Sequence, residues 1–149
     1  MMNLRELLEN PEFIQKVACT KASYKKDEVI LTEDEESQDV YLILAGKAQV
    51  STRLESDVDQ LPRPLARLAA DDIFGELSMF DGEPRSAEVV ALTDCDIAKF
   101  DGPGMIQFLD EHPEIGYFVL REIFMCVVMR MRQNNIRTKT VLQLYLNEK

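Results

Sequence analysis

The chain has 149 residues, the length of one ordinary domain. A chain of this size buries about 70% of its unfolded surface and needs no disulfide or metal to fold. With 46% hydrophobic and 30% charged residues it reads as a soluble globular sequence, and a net charge of −10 opposes direct binding to nucleic acid. Cys19, Cys95 and Cys126 are too few and too far apart for a disulfide framework or a zinc site, so reduced thiols, no metal and a cytoplasmic setting are expected. The N-terminus lacks the apolar run of a signal peptide, and no stretch is long and apolar enough to predict a membrane span.

In chain order, Leu4, Leu7 and Leu8 have the spacing of a short amphipathic helix, broken at Asn10-Pro11. Phe13, Ile14 and Val17 suggest a further turn, so residues 3–20 are predicted as N-terminal helices. Residues 27–39 hold seven carboxylates and no base, which reads as a solvated loop edge. Short β-like segments follow at 28–32, 40–45, 47–54, 64–69, 86–92 and 95–100, with a further strand ending at Phe74. Ala45-Gly46 marks a tight turn, and 55–63 reads as a polar hairpin loop. Many short strands separated by turns predict a sandwich, roll or barrel, hence an α+β, mainly β, fold. Gly102-Pro103-Gly104 ends the strands. Helices are predicted over 103–146: a short one through Met105, Phe108 and Leu109, then a long one from Glu114.

The long helix is apolar at almost every position from Ile115 to Met131. A helix packed on one sheet needs a single apolar stripe, so this one needs cover on two sides. A second copy of the chain is the expected second cover, giving a homodimer through residues 115–135. The alternative is a helix threaded through its own fold.

Residues 73–92, IFGELSMFDGEPRSAEVVAL, carry the chemistry. Gly75 permits close approach of backbone to a ligand, and a helix starting there presents unpaired N–H groups to an anion. Asp81-Gly82-Glu83-Pro84 turns the chain back, bringing Arg85 to the same cradle, where its planar fork suits phosphate oxygens. Glu76 would repel an anion alone, but it suits a ligand that also presents hydroxyls. Phosphate beside sugar satisfies both. The competing reading is an internal Glu76–Arg85 salt bridge.

Phe74-Gly75-Glu76-Leu77, followed after the turn by Arg85-Ser86-Ala87, closely resembles the phosphate-binding cassette of the cyclic nucleotide-binding domain family, which includes the catabolite activator protein and the regulatory subunits of cyclic-AMP-dependent protein kinase. Val40-Tyr41-Leu42-Ile43-Leu44-Ala45-Gly46 is similar to the family's Tyr-Ile-Ile-x-x-Gly strand. The resemblance implies one domain over 1–149: helices at 3–20, an eight-stranded β-roll (a double-stranded β-helix or jelly roll) at 21–101 with its cassette at 73–87, and helices at 103–146. It implies that Arg85 pairs with a cyclic phosphate and Glu76 accepts from the ribose 2′-hydroxyl. Gly75, Leu77, Ser86 and Ala87 would surround the phosphate. Residues 130–135 resemble the family's Arg-Leu-Arg-x-Thr-Asn stretch, making Asn134 and Asn135 the candidates to touch the base, or else solvent-facing amides. Glu33 and Asp71 stand where the family has turn glycines.

The implied ligand is cyclic AMP, with cyclic GMP the second choice; Ser86 after the arginine leans toward the former. No cofactor is expected. No helix-turn-helix segment follows, so a free-standing sensor signalling to another, unknown protein is expected. An enzyme is the rival class, but the lone His112 stands before Pro113 as a helix-terminus residue, without a Ser or Cys partner nearby in sequence. Cupin-like metal sites need several histidines. The remaining alternative is a degenerate β-roll that dimerises and binds no nucleotide.

Overall fold

The computed structural model describes residues 3–54, 58–59 and 61–148. Two short helices open it, α1 (Leu4–Leu7) and α2 (Pro11–Lys16), capped by the side chains of Asn3 and Asn10, which accept from first-turn N–H groups. Eight strands follow: β1 (Cys19–Tyr24), β2 (Val29–Leu31), β3 (Val40–Ala45), β4 (Ala48–Arg53), β5 (Pro62–Leu68), β6 (Ile73–Phe74), β7 (Glu88–Ala91) and β8 (Cys95–Phe100). A short helix, α3 (Glu76–Asp81), lies between β6 and β7, and two helices, α4 (Gly102–Glu111) and α5 (Pro113–Asn147), close the chain.

The strands form two four-stranded antiparallel sheets, ordered β1-β8-β3-β6 and β2-β7-β4-β5. This is the mainly β roll with a long C-terminal helix that the sequence predicts. β3 explains the layering. Val40 and Leu42 join a core with Leu4, Leu7, Phe13, Met105, Phe108, Val119 and Ile123 beneath the helices. Tyr41 and Ile43 point the other way, into the roll, with Leu31, Ala48, Phe74, Val89 and Ile97. Both faces of β3 are therefore buried, which is why its sequence is an unbroken apolar run rather than an alternation. Phe13 holds the helical core together, meeting Phe100 and Phe108 edge-on at 5.6 and 5.2 Å.

Three expectations need adjustment. Residues 19–24 form a strand, although the helical reading of the N-terminus extends to residue 20. β5 begins at Pro62, inside the predicted hairpin loop, and residues 55–57 and 60 of that loop lie outside the described residues. The internal Glu76–Arg85 salt bridge does not form, because each side chain is taken by another partner. The turn at Gly46 is present with φ 98°, in the left-handed region, where an added Cβ would meet the Asp94 carbonyl oxygen at 2.3 Å.

Candidate functional site

The site is built where β6 runs into α3. Gly75 has φ 79°, and a Cβ there would meet the Asp39 carbonyl oxygen and Arg85 Nη1 at 3.0 Å. Glycine is needed both for the backbone angle and for the approach of Arg85. Gly75 caps α3 without a side-chain hydrogen bond.

Arg85 is 3% exposed. Its Nη1 donates to the Gly75 carbonyl at 2.8 Å, and its Nη2 to the Asp39 carbonyl at 2.6 Å and Ser37 Oγ at 3.2 Å. The backbone is bound as firmly: Arg85 N donates to Glu35 O, and Asp34 N to Arg85 O. The guanidinium carbon lies 5.8 Å from the centre of the Tyr41 ring, which stacks on Phe74 at 4.9 Å. Burial raises the Tyr41 phenol above its ordinary pKa, an effect that the nearby Arg85 charge partly offsets.

Glu76 is 2% exposed and pairs with Arg130 of α5, which reaches it from the far wall. Arg130 Nε also donates back to the Cys126 carbonyl at 3.4 Å. Two polar atoms remain buried and unpartnered among the described residues: Glu76 Oε2, an acceptor, and Arg85 Nε, a donor.

Glu76 and Arg85 both line a cleft of about 60 Å³, together with Leu31, Phe74, Gly75, Leu77, Ser86, Ala87 and Val89, and with Val50 and Arg130. An outer cleft of about 300 Å³ adjoins it and shares Val50, Glu76, Leu77, Ser86, Ala87 and Arg130 with it. Leu65, Ala66, Val127 and Met131 make the outer walls apolar, and Asn134 adds an amide. The inner part thus offers paired charges and the outer part mostly apolar walls.

The pattern that defines the cyclic nucleotide-binding domain matches residues 21–112, well over half of the sequence. The chain belongs to the cyclic nucleotide-binding domain family. It is 26% identical over 112 residues to a CRP-like cAMP-activated global transcriptional regulator from Mycobacterium tuberculosis, an alignment covering 75% of this chain and 47% of that protein. It is 31% identical over 98 residues to a cAMP-dependent protein kinase regulatory subunit from Candida albicans, covering 66% of this chain and 20% of that one. The chain therefore spans half or less of the length of these relatives. Among solved structures, a cyclic nucleotide-binding domain from Methylobacillus flagellatus superposes with a TM-score of 0.70 at 30% identity, covering 83% of this chain and 66% of the other.

In this cyclic nucleotide-binding domain, Gly75, Glu76, Leu77, Arg85, Ser86 and Ala87 all line the inner cleft, as a group. Asn134 lines the outer cleft from α5, in a row with Val127, Arg130 and Met131 that follows the helical i, i+3, i+4, i+7 spacing. Asn135, one residue on, is exposed and does not line the cleft. Asp71 adopts a left-handed φ of 73°, a region that aspartate visits more readily than most residues other than glycine. In the β2–β3 loop the left-handed residue is Asp34 rather than Glu33.

Sequence reasoning missed the roles of Arg130, Ser37 and the Asp39 carbonyl. Arg130 opens the 130–135 stretch, and its charge opposite a buried carboxylate was the available signal. Besides the Gly75 carbonyl, the partners of the Arg85 side chain are a backbone carbonyl and a hydroxyl in the acidic loop, and nothing in the sequence marks them. All three thiols are raised above their ordinary pKa chiefly by burial; for Cys126 the Arg130 charge acts in the opposite direction.

Proposed function

We propose that the chain is a sensor for a cyclic nucleotide, cyclic AMP in preference to cyclic GMP, acting as one regulatory domain over 1–149. The cyclic phosphate and ribose occupy the inner cleft and the base occupies the outer one. The observation that carries this reading is one cleft lined by two buried side chains of opposite charge, Arg85 and Glu76, each keeping one polar atom without a partner. A donor on Arg85 faces an anion, and an acceptor on Glu76 faces a hydroxyl. A degenerate scaffold has no need of either, and each costs about 1–3 kcal/mol when left without a partner. Ser86, Ala87, Gly75 and Leu77 complete the phosphate side, and Asn134 supplies an amide toward the base, whereas Asn135 lies outside that cleft.

The chain acts as a homodimer through residues 115–135. Its own fold buries Gly116, Val119 and Ile123 of α5. On the outer side Tyr117, Leu120 and Phe124 stand 61%, 49% and 62% exposed, at the three- and four-residue steps of a coiled-coil seam. A second copy of the helix suits that seam, and the dimer helix passes the signal to another protein. Among the described residues no helix is long and apolar enough to cross a membrane. We assign the chain no catalytic step, no metal or other cofactor, no direct nucleic-acid contact and a cytoplasmic setting.

Titration calorimetry with cyclic AMP, cyclic GMP and 2′-deoxy cyclic AMP tests the reading. Wild type should bind cyclic AMP most tightly and lose affinity for the deoxy ligand. Glu76→Gln should weaken cyclic AMP binding by about 1–3 kcal/mol, because charge assistance is lost. In that variant the deoxy ligand should bind nearly as well as cyclic AMP. An equal deoxy penalty in both proteins would remove Glu76 from the ribose, and no binding of any of the three would leave only the scaffold reading.

A further inference from the structure

Two arginines of α5 seven residues apart, Arg130 and Arg137, bond to the roll from the same face of the helix, separated by about 10 Å along its axis. Arg130 holds Glu76 at the floor of the site. Arg137 Nη1 donates to the Pro64 carbonyl oxygen at 2.5 Å, across to β5. Met131 and Asn134, which wall the outer cleft, lie between these anchors.

The acceptor is set up by the strand itself. β5 is the edge of its sheet, and its pairing with β4 slips between Val50↔Ala66 and Ser51↔Pro64, leaving Leu65 as a bulge residue. The bulge puts Leu65 among the residues lining the outer cleft, while Pro64 supplies the carbonyl that Arg137 takes. One irregularity therefore shapes the cleft wall and supplies the fastening point. From Met131 to Asn147 every residue of the helix is exposed, so this stretch lacks buried side chains such as Val119 and Ile123 that seat the first half.

We propose that Arg137 is a positioning residue that fastens the distal half of α5 to the β4–β5 hairpin and so gates the outer cleft. It rests on the reading that a nucleotide base occupies that cleft. The bond at Pro64 closes the mouth from the helix side, and its breaking lets the base in or out. Arg137 thus governs the rates of exchange more than the affinity, because it holds the same walls together with or without ligand.

The experiment measures association and dissociation of radiolabelled cyclic AMP with wild type, Arg137→Ala and Arg137→Lys. Arg137→Ala should speed both steps by about five- to tenfold, the population shift one hydrogen bond supports, with the equilibrium constant changed less than either rate. Arg137→Lys, which still donates, should lie close to wild type. Unchanged rates in Arg137→Ala overturn the gate. Faster dissociation with unchanged association also overturns it, since that marks a simple ligand contact. Hydrogen exchange on the nucleotide-free chain separates this proposal from the functional one. Arg137→Ala should hasten exchange at 62–68 and 131–145 while leaving 113–123 as in wild type. If wild type binds no cyclic nucleotide, the functional reading fails while this exchange pattern still supports the fastening. Unaltered exchange at 131–145 overturns the fastening whatever the ligand result.

Discussion

The cassette at 73–87 and the helix α5 supply opposite walls of one site but are held in different ways. Arg85 reaches Gly75 only ten positions away and is locked by backbone bonds on both sides of its own peptide. Arg130 meets Glu76 across 54 positions of sequence, and beyond Arg130 the helix is exposed throughout. The cassette is a preorganised cradle whose geometry is fixed before any ligand arrives. The helix is seated firmly for its first half and lightly for its second. A ligand that touches both can move only the lighter part, and only as far as it binds the two arrangements differently.

The sharpest way to break this comparison is Arg85→Ala. Loss of the guanidinium should weaken cyclic nucleotide binding by about 2–5 kcal/mol, because the phosphate is left without its buried partner. It should also lower the melting temperature, since the Gly75 and Asp39 carbonyls lose their donor. Calorimetry and a thermal melt on the same preparation read both; a lowered melting temperature with unchanged affinity would make the arginine purely structural. On the helix side, Phe124→Glu places a charge on the outer seam without touching the buried face of α5. It should weaken dimerisation by about 2–4 kcal/mol, the scale of a central interface residue, as sedimentation would show. A variant that stays dimeric would move the interface elsewhere.

A smaller effect tests how α5 is seated. Burial raises the pKa of the Glu122 carboxyl, the Leu4 N–H bonded to it at 2.7 Å opposes the rise, and Asp71 and Glu6 add to it. The folded chain then holds this proton more tightly than the unfolded one. Stability should fall as pH rises from the ordinary carboxylate value through the raised one. Glu122→Gln keeps an oxygen for Leu4 and should flatten that limb of the profile in denaturant unfolding. An unchanged slope would assign the dependence to other groups.

The two walls also differed in how far the sequence revealed them. The cassette was legible because its residues are neighbours in sequence and their types match their tasks. β1 was not, because Cys19–Tyr24 is an edge strand with four of its six residues exposed, so no apolar alternation marks it. β5 was read as starting two residues late because Pro62 looks like a loop residue, although an edge strand tolerates proline. The apolar run of α5 announced a second cover, but its helical phase, which separates Asn134 from Asn135, became clear only once Arg130 was fixed on Glu76. The Arg137–Pro64 bond joins positions 73 apart through a backbone oxygen, and no residue type signals it.

Cys126 gives the helix a built-in chemical clock. Its thiol is half-buried behind Arg130, with its pKa raised by burial, so a maleimide should react with it slowly while α5 is seated. Any lifting of the helix from the roll would wet that sulfur and quicken its alkylation. The native chain can therefore report its own movement without a foreign label, and Cys95, buried inside the roll, serves as the internal standard that should not change.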